Sequence, residues 1–394
     1  MDILEGVRVL SFNHFLLGPM GTQVLADLGA DVICIEPVGG AFQRHWGGAN
    51  HKVDGETMLH FCGNRNKRSL AVDMKSPEGS SIIEKLILTA DVLSENFRPG
   101  VMDKLGFGYE AVRKINPKMI YAAASGYGQD GPYSKRPGQD LIIQALSGLA
   151  NINGSENQPP TPVGVSAADH HGAQILAMSI LAALFRRERT GKGTRVDVDL
   201  LSAALDLQNE SLVCYANGAK QSQRPPQNIA GWYFPAPYGI YAVQDGHVAI
   251  SLGSMESLAN AISLPALREF TADEVFERKK EIAALIQSAV KDFNVTDLEE
   301  KLEKEKLWYA RVNDYSAVLR DPQVQHNGSF LYVKSAAQTP ITLLAHPAKY
   351  DGKRPGVRFP PQPLGAQTSE ILEEIGYSGK EIRQLGKTGI VHLG

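Results

Sequence analysis

A single carboxylate, Asp169, stands in the stretch VSAADHHGAQ (165–174), after small residues and before two histidines and a glycine. Four roles suit such a group: neighbour of a metal ligand, helix cap, acid/base, or nucleophile. A metal would want spaced ligands. His170 and His171 are adjacent, so their side chains point apart on a regular element, and with His14, His45 and His60 they make neither HxH nor HExxH spacing. No metal is expected. A serine nucleophile would want GxSxG, which Ser125 in AASGYG lacks. As a cap, an Asp directly ahead of a helix needs no further explanation. The same geometry also allows chemistry. A carboxylate at the positive end of a helix dipole is expected to stay ionised. The small neighbours Ala167, Ala168 and Gly172 would leave its oxygens accessible, and such a group can attack an activated acyl carbon. Local pattern leaves cap and nucleophile both open.

The elements that must position this residue alternate. VRVLSF (7–12), DVICIEP (31–37), SLAVDM (69–74), DVLSENF (91–97), MIYAAASGYG (119–128) and TRVDVDL (194–200) read as strands. GPMGTQVLADLGA (18–30), closed by Gly29, and SPEGSSIIEKLILTA (76–90), opened by Ser76 and Pro77, read as helices. The run 173–193 is apolar nearly all round, so a buried helix is expected there, ending in basic residues and Gly191. Alternating β and α elements argue for a doubly wound α/β domain. Its first turn, FNHFLLGPMG, has GxxG with bulky Phe15, Leu16 and Leu17 where backbone should approach a pyrophosphate. This argues against NAD or FAD, although Glu36 ends the second strand as a ribose-binding acid would. From about residue 220 the character changes. QSQRPPQNIAGWYFPAPYG reads as a linker or ordered loop, 240–251 as a hairpin with Asp-Gly at its turn, and 256–320 as charged helices.

With 394 residues, about two domains are expected. The net charge of -3 gives no basic field for nucleic acid or an anionic membrane. Cys34, Cys62 and Cys214 form no CxxC pair, which favours a reducing cytosol, and the N-terminus has no signal-like block.

Several stretches together resemble the family III CoA-transferases, in order and across essentially the whole chain. They are GVRVLSFNHFLLGPMGTQVLADLGADVICIEP, NRNKRSLAVDMKSPEG, SENFRPGVMDKLGFGYE, SGYGQDGPYSKRPGQD, RTGKGTRVDVDLLSAAL and VLRDPQV. The resemblance implies that Asp169 is the catalytic nucleophile, passing CoA between an acyl-CoA and a free acid through anhydride and aspartyl-CoA intermediates, with no prosthetic group. It implies CoA contacts at Leu16, Leu17, Val72, Met74, Lys75, Asn96, Phe97, Arg98, Lys104 and Lys135, and a substrate pocket shaped by His14, Gln139 and Asp140. It further implies a Rossmann-like large domain (1–220 with 330–394), a smaller α+β domain (221–329), and an interlocked, ring-like cytoplasmic homodimer. Three features depart from the family pattern: Lys104 stands where a relative has arginine, Pro37 and Val38 follow Glu36, and no glycine-rich lid is apparent. Racemases of the same superfamily pair the aspartate with a histidine in a GHD-like stretch. Here that stretch is PGQD, and Gln139 cannot shuttle a proton. A racemase and a non-catalytic acyl-CoA-binding protein are the alternatives. Arg44, His45, Arg65, Lys67 and Arg68 would either meet a second substrate carboxylate or serve as surface charge and structural pairing.

Overall fold

The computed structural model describes residues 1–219 and 224–394. Contacts divide them into two compact units, residues 1–143 with 166–207 and 325–394, and residues 144–165 with 208–324.

In the first unit β1 (Arg8–Phe12), β2 (Asp31–Glu36), β3 (Lys67–Val72), β4 (Val92–Glu95), β5 (Ile120–Ser125) and β6 (Thr194–Asp199) lie parallel in the order β3-β2-β1-β4-β5-β6. A short strand missed in the sequence, Val391–His392, adds antiparallel to β3. The inner strands read as unbroken apolar runs because the sheet is covered on both faces, and every residue of β4 and β5 is buried. Neighbouring residues feed opposite faces. Leu10, Ile33 and Leu93 pack with Ile83 and Leu86 of helix Pro77–Thr89, while Val9, Val32 and Val92 pack with Leu25, Leu176 and Ile180. The last three lie on α1 (Leu17–Asp27) and α2 (Ala167–Thr190).

Two expectations about α2 change. It starts six residues before the expected 173, which puts Asp169 inside its first turn rather than ahead of it. It is not buried all round either. Leu176, Ile180 and Leu184 face the sheet, but Met178 and Phe185 are 63% and 66% exposed, because the sheet offers it only one face.

In an open parallel sheet, ligands bind beyond the carboxyl ends of the strands where the strand order reverses. That place lies between β1 and β4, and the chain leaves these strands through Asn13–Leu16 and Asn96–Arg98.

The second unit holds the antiparallel sheet of β7 (Gly239–Val243), β8 (Gly246–Ile250) and β9 (Tyr309–Arg311), with helices Lys279–Val290 and Val295–Lys304 around a core that includes Tyr241, Ile286 and Leu298. Its hairpin loop is Gln244–Asp245, one residue earlier than Asp-Gly, since Gly246 already pairs with Val243. The Asp245 carboxylate accepts the Val295 N–H at 2.7 Å at the start of a helix. Residues 144–165 belong to this unit rather than to the first. The Glu156 N–H donates to Pro225 O at 2.9 Å, the Glu156 carboxylate pairs with Lys280 at 2.7 Å, and Arg224 Nε donates to Asn151 O at 2.8 Å.

Candidate active site

Asp169 does not cap its helix. Ser166 holds the cap position without a side-chain hydrogen bond, and Asp169 is the third helical residue. Its N–H, one of the donors left without an intrahelical partner at a helix start, is taken by Asp140 Oδ2 at 3.1 Å. Its carboxylate is not used to cap its own helix, and the main-chain N–H of Leu17, the first residue of α1, favours its charged form instead. Two helix starts thus converge on one carboxylate. Gly172 permits the approach, because a Cβ there would lie 2.7 Å from Leu17 Cδ1. The expectation that Asp169 stays firmly ionised is corrected. Burial, and then the Asp140 carboxylate, push its pKa up to about 7 from 3.8, while the Leu17 hydrogen bond pulls the other way. A carboxylate that titrates near neutrality keeps an ionised fraction there, and it is more basic than an ordinary carboxylate.

The loop after β1 is held firmly. Asn96 Oδ1 accepts the His14 N–H and Asn96 Nδ2 donates to His14 O, both at 2.8 Å. The Glu95 carboxylate accepts the Phe97 N–H at 2.9 Å, and burial pushes its pKa up to about 8. The next residue, Phe15, takes a left-handed backbone (φ 58°), at a cost of about 1–2 kcal/mol for a residue with a Cβ. Its N–H donates to Gln43 Oε1 at 3.2 Å. The His14 ring packs between Phe15 and Phe97, at centroid distances of 5.0 and 5.1 Å. Burial lowers its pKa to about 4, so the ring is neutral at pH 7. Among the described residues none hydrogen-bonds its buried Nδ1.

These groups line one cleft of about 500 Å³. It brings together His14, Leu16, Leu17, Asn96, Phe97, Arg98, Gln139, Asp140 and Asp169, all singled out in the sequence. Val72, Met74, Lys75, Lys104 and Lys135 are not among its lining residues. The Val72 side chain is wholly buried in the core, Met74 packs against the same core, and the three lysines are exposed. The cleft also includes Phe15, Trp46, Leu59, Ser125, Gly126, Arg136, Gly138 and Leu141. Gly138 left no signal of its own in the sequence: its Cβ would meet Gly126 Cα at 2.6 Å, so the two ends of the loop after β5 touch backbone to backbone. Trp46 lies in a loop without periodicity and left no signal. Arg136 stacks over the Tyr133 ring at 3.9 Å, and neither it nor Arg98 forms an ion pair among the described residues.

The basic residues considered for a second substrate carboxylate are engaged elsewhere. Arg44 binds Glu36 at 2.6 Å and Glu56 at 2.8 Å, and Arg65 binds Asp27 at 2.5 Å. Arg68 binds Asp31 and Glu374, each at 2.6 Å. The buried Lys67 Nζ donates to Pro19 O, Thr22 Oγ1 and Asn64 Oδ1 at 2.7, 3.0 and 3.2 Å, and burial lowers its pKa to about 8. His45 Nε2 bonds Gly39 O at 2.9 Å. Among the described residues there is no group of three or more His, Cys, Asp or Glu side chains placed to hold a metal, and no helix long and apolar enough to cross a membrane.

An α/β chain with a basic carboxylate at the floor of a cleft beyond its strand ends has the build of an enzyme that transfers a group through that carboxylate. Residues 4–368 match the profile of CoA-transferase family III, and the chain belongs to that family. It is 31% identical to the succinyl-CoA:glutarate CoA-transferase of Homo sapiens over 98% of this chain and 90% of that protein. It is 39% identical to the acetyl-CoA:oxalate CoA-transferase of Acetobacter aceti over 67% of each. Among solved structures, a CAIB/BAIF family protein from Brucella suis superposes with a TM-score of 0.83 at 29% identity, over 94% of this chain and 99% of that one. The chain is a CoA-transferase acting on acyl-CoA thioesters.

Proposed function

We propose that the chain exchanges CoA between an acyl-CoA and a free carboxylic acid, with Asp169 as the nucleophile. The observation that carries this reading is the Asp169 carboxylate itself: freed from capping, raised to about 7 and directed into the cleft. An Asp169 oxygen attacks the thioester carbonyl, the C–S bond breaks, and a mixed anhydride and CoA thiolate result. The thiolate attacks the aspartyl carbonyl and expels the donor acid as its carboxylate, leaving an aspartyl-CoA thioester. The acceptor carboxylate attacks that thioester and releases thiolate. The thiolate then attacks the acceptor's acyl carbon in the second anhydride, which regenerates Asp169. Each step exchanges one activated acyl bond for another, so no ATP or redox partner enters the balance. Tight positioning of CoA supplies the advantage.

Arg98 and Arg136 have the charge and fork geometry for phosphate. Asn96 and Phe97, with Met74, Lys75, Lys104 and Lys135 outside the cleft, form the CoA track, and the buried Val72 backs it from the core. Leu16, Leu17, His14, Gln139 and Asp140 enclose the reacting carbonyl. The 3-2-1-4-5-6 strand order supports a Rossmann-like large domain. Exposed Met178 and Phe185 on α2 support burial of that face in an interlocked homodimer, and three free cysteines suit the cytoplasm. The test is to mix an acyl-CoA with a second free acid and follow the new thioester by mass. Wild type forms it and Asp169→Ala does not. Equal exchange by the variant refutes the assignment. α-Deuterium uptake into a 2-methylacyl-CoA without exchange would make the chain a racemase.

A further inference from the structure

The two ends of the cleft differ in chemistry. A row of rings runs along one wall. Phe97 packs on His14, His14 on Phe15, and Phe15 on Phe42 and Trp46 at centroid distances of 4.8 and 6.4 Å. Phe42 and Trp46 also pack on each other at 5.5 Å, yet remain 48% and 57% exposed. The short helix Phe42–Arg44 inverts the usual surface pattern. Arg44 is 2% exposed and turned inward to Glu36 and Glu56, while the aromatic Phe42 stays outside. The segment is pinned in this inverted state, because the Gln43 side chain accepts the Phe15 N–H and Gln43 O accepts a hydrogen bond from Thr57 Oγ1 at 2.6 Å. Among the described residues Arg98 and Arg136 are the only arginines or lysines lining the cleft; Arg98 follows Phe97 at the far end of the ring row from Trp46, and Arg136 comes from the loop after β5, on the other side of β1 from the segment after β2 that carries Trp46. His14, in the middle, is neutral at pH 7. At the Trp46–Phe15–Leu59 end, therefore, a second carboxylate would lose water and gain no cation, whereas a hydrocarbon group would gain burial.

Resting on the CoA-transfer reading above, we infer that the acid exchanged by this chain is a monocarboxylate with an aromatic or alkyl body, seated on Phe15 and Trp46, rather than a dicarboxylate. The carboxyl carbon lies at Asp169, CoA occupies the arginine end, and the acid's hydrocarbon body runs to the ring end. Trp46 is a specificity-determining residue.

The experiment is self-exchange, which needs no knowledge of the natural donor. Phenylacetyl-, hexanoyl-, succinyl- and glutaryl-CoA are each incubated with their own carbon-13-labelled acid, and label entering the thioester is measured for wild type, Trp46→Ala, Trp46→Arg and Asp169→Ala. The expected result is kcat/KM for the phenylacetyl and hexanoyl pairs about 10-fold or more above the dicarboxylate pairs. Trp46→Ala lowers that preference by about 10-fold with an unchanged circular dichroism spectrum. Trp46→Arg, which supplies the missing cation, shifts the preference toward glutaryl-CoA. Succinyl or glutaryl exchange equal to or faster than the hydrocarbon pairs, still abolished in Asp169→Ala, overturns the substrate class and leaves CoA transfer standing. Unchanged preference in both Trp46 variants overturns the role of Trp46. No exchange with any pair overturns the transfer reading, and this inference with it.

Discussion

Replacing Asp140 by Asn isolates the electrostatic tuning of Asp169. The amide oxygen can still accept the Asp169 N–H now held at 3.1 Å, so the start of α2 keeps its hydrogen bond while the negative charge is lost. Burial is the larger cause of the rise of Asp169 to about 7 and persists in the variant; the Asp140 charge is the second cause and does not. Two like charges about 4 Å apart repel by at most ~4 kcal/mol at the effective dielectric of a partly wet site, and a shift of one pKa unit is worth ~1.4 kcal/mol. The acid limb of kcat/KM for CoA exchange is therefore expected to move down by about one pH unit. At pH 5 the variant would hold about ten times more ionised Asp169 than wild type and would exceed it in the first acylation, measured by rapid quench. At pH 8 both are ionised, and the variant's less basic carboxylate makes it the slower enzyme. An acid limb that stays in place, or moves up, would refute the coupling between the two carboxylates.

Asp169→Asn should stabilise the fold in alkali and not in acid. The native carboxyl titrates near 7 and the unfolded one near 3.8, so the native chain holds the proton more tightly, and stability falls as pH rises between the two values. Urea unfolding at pH 8 should show a gain of about 2–4 kcal/mol, shrinking toward zero at pH 4. Arg98→Ala should raise KM for the acyl-CoA about 10-fold at low salt with little change in kcat, and the gap should narrow as salt is added. Glu36→Gln leaves the buried Arg44 guanidinium without its 2.6 Å charge partner and should cost about 3–5 kcal/mol in thermal or urea unfolding.

The sheet was legible because strands buried on both faces write continuous apolar runs: β1, β2, β4, β5 and β6 each lie within a stretch read as a strand, and β3 begins two residues before its stretch because Lys67 and Arg68 hide its start. The edge strand Val391–His392 was not, since two residues carry no period. The start of α2 was placed late because Ala167–His171 is small and polar, without the apolar periodicity that marks the rest of the helix. Asp169 was singled out and lines the cleft, but its ionisation was misjudged. Local sequence suggests only the helix dipole, whereas burial and Asp140, 29 residues away, arrive with the tertiary fold. The same holds for Arg44, Arg65 and Arg68, whose partners come from other elements. His14, Asn96 and Arg98 were singled out individually, while the ring row joining His14 to Trp46 depends on a loop whose aromatic residues face outward against expectation.

The central claim is a covalent bond at Asp169, and peptide mass spectrometry tests it most directly. The protein is incubated with an acyl-CoA it turns over and quenched in acid, then digested, beside Asp169→Ala. The account predicts a CoA or acyl adduct on the peptide carrying Asp169, removable by hydroxylamine and absent from the variant. Turnover with no adduct on that peptide, or an adduct that persists in Asp169→Ala, would contradict it.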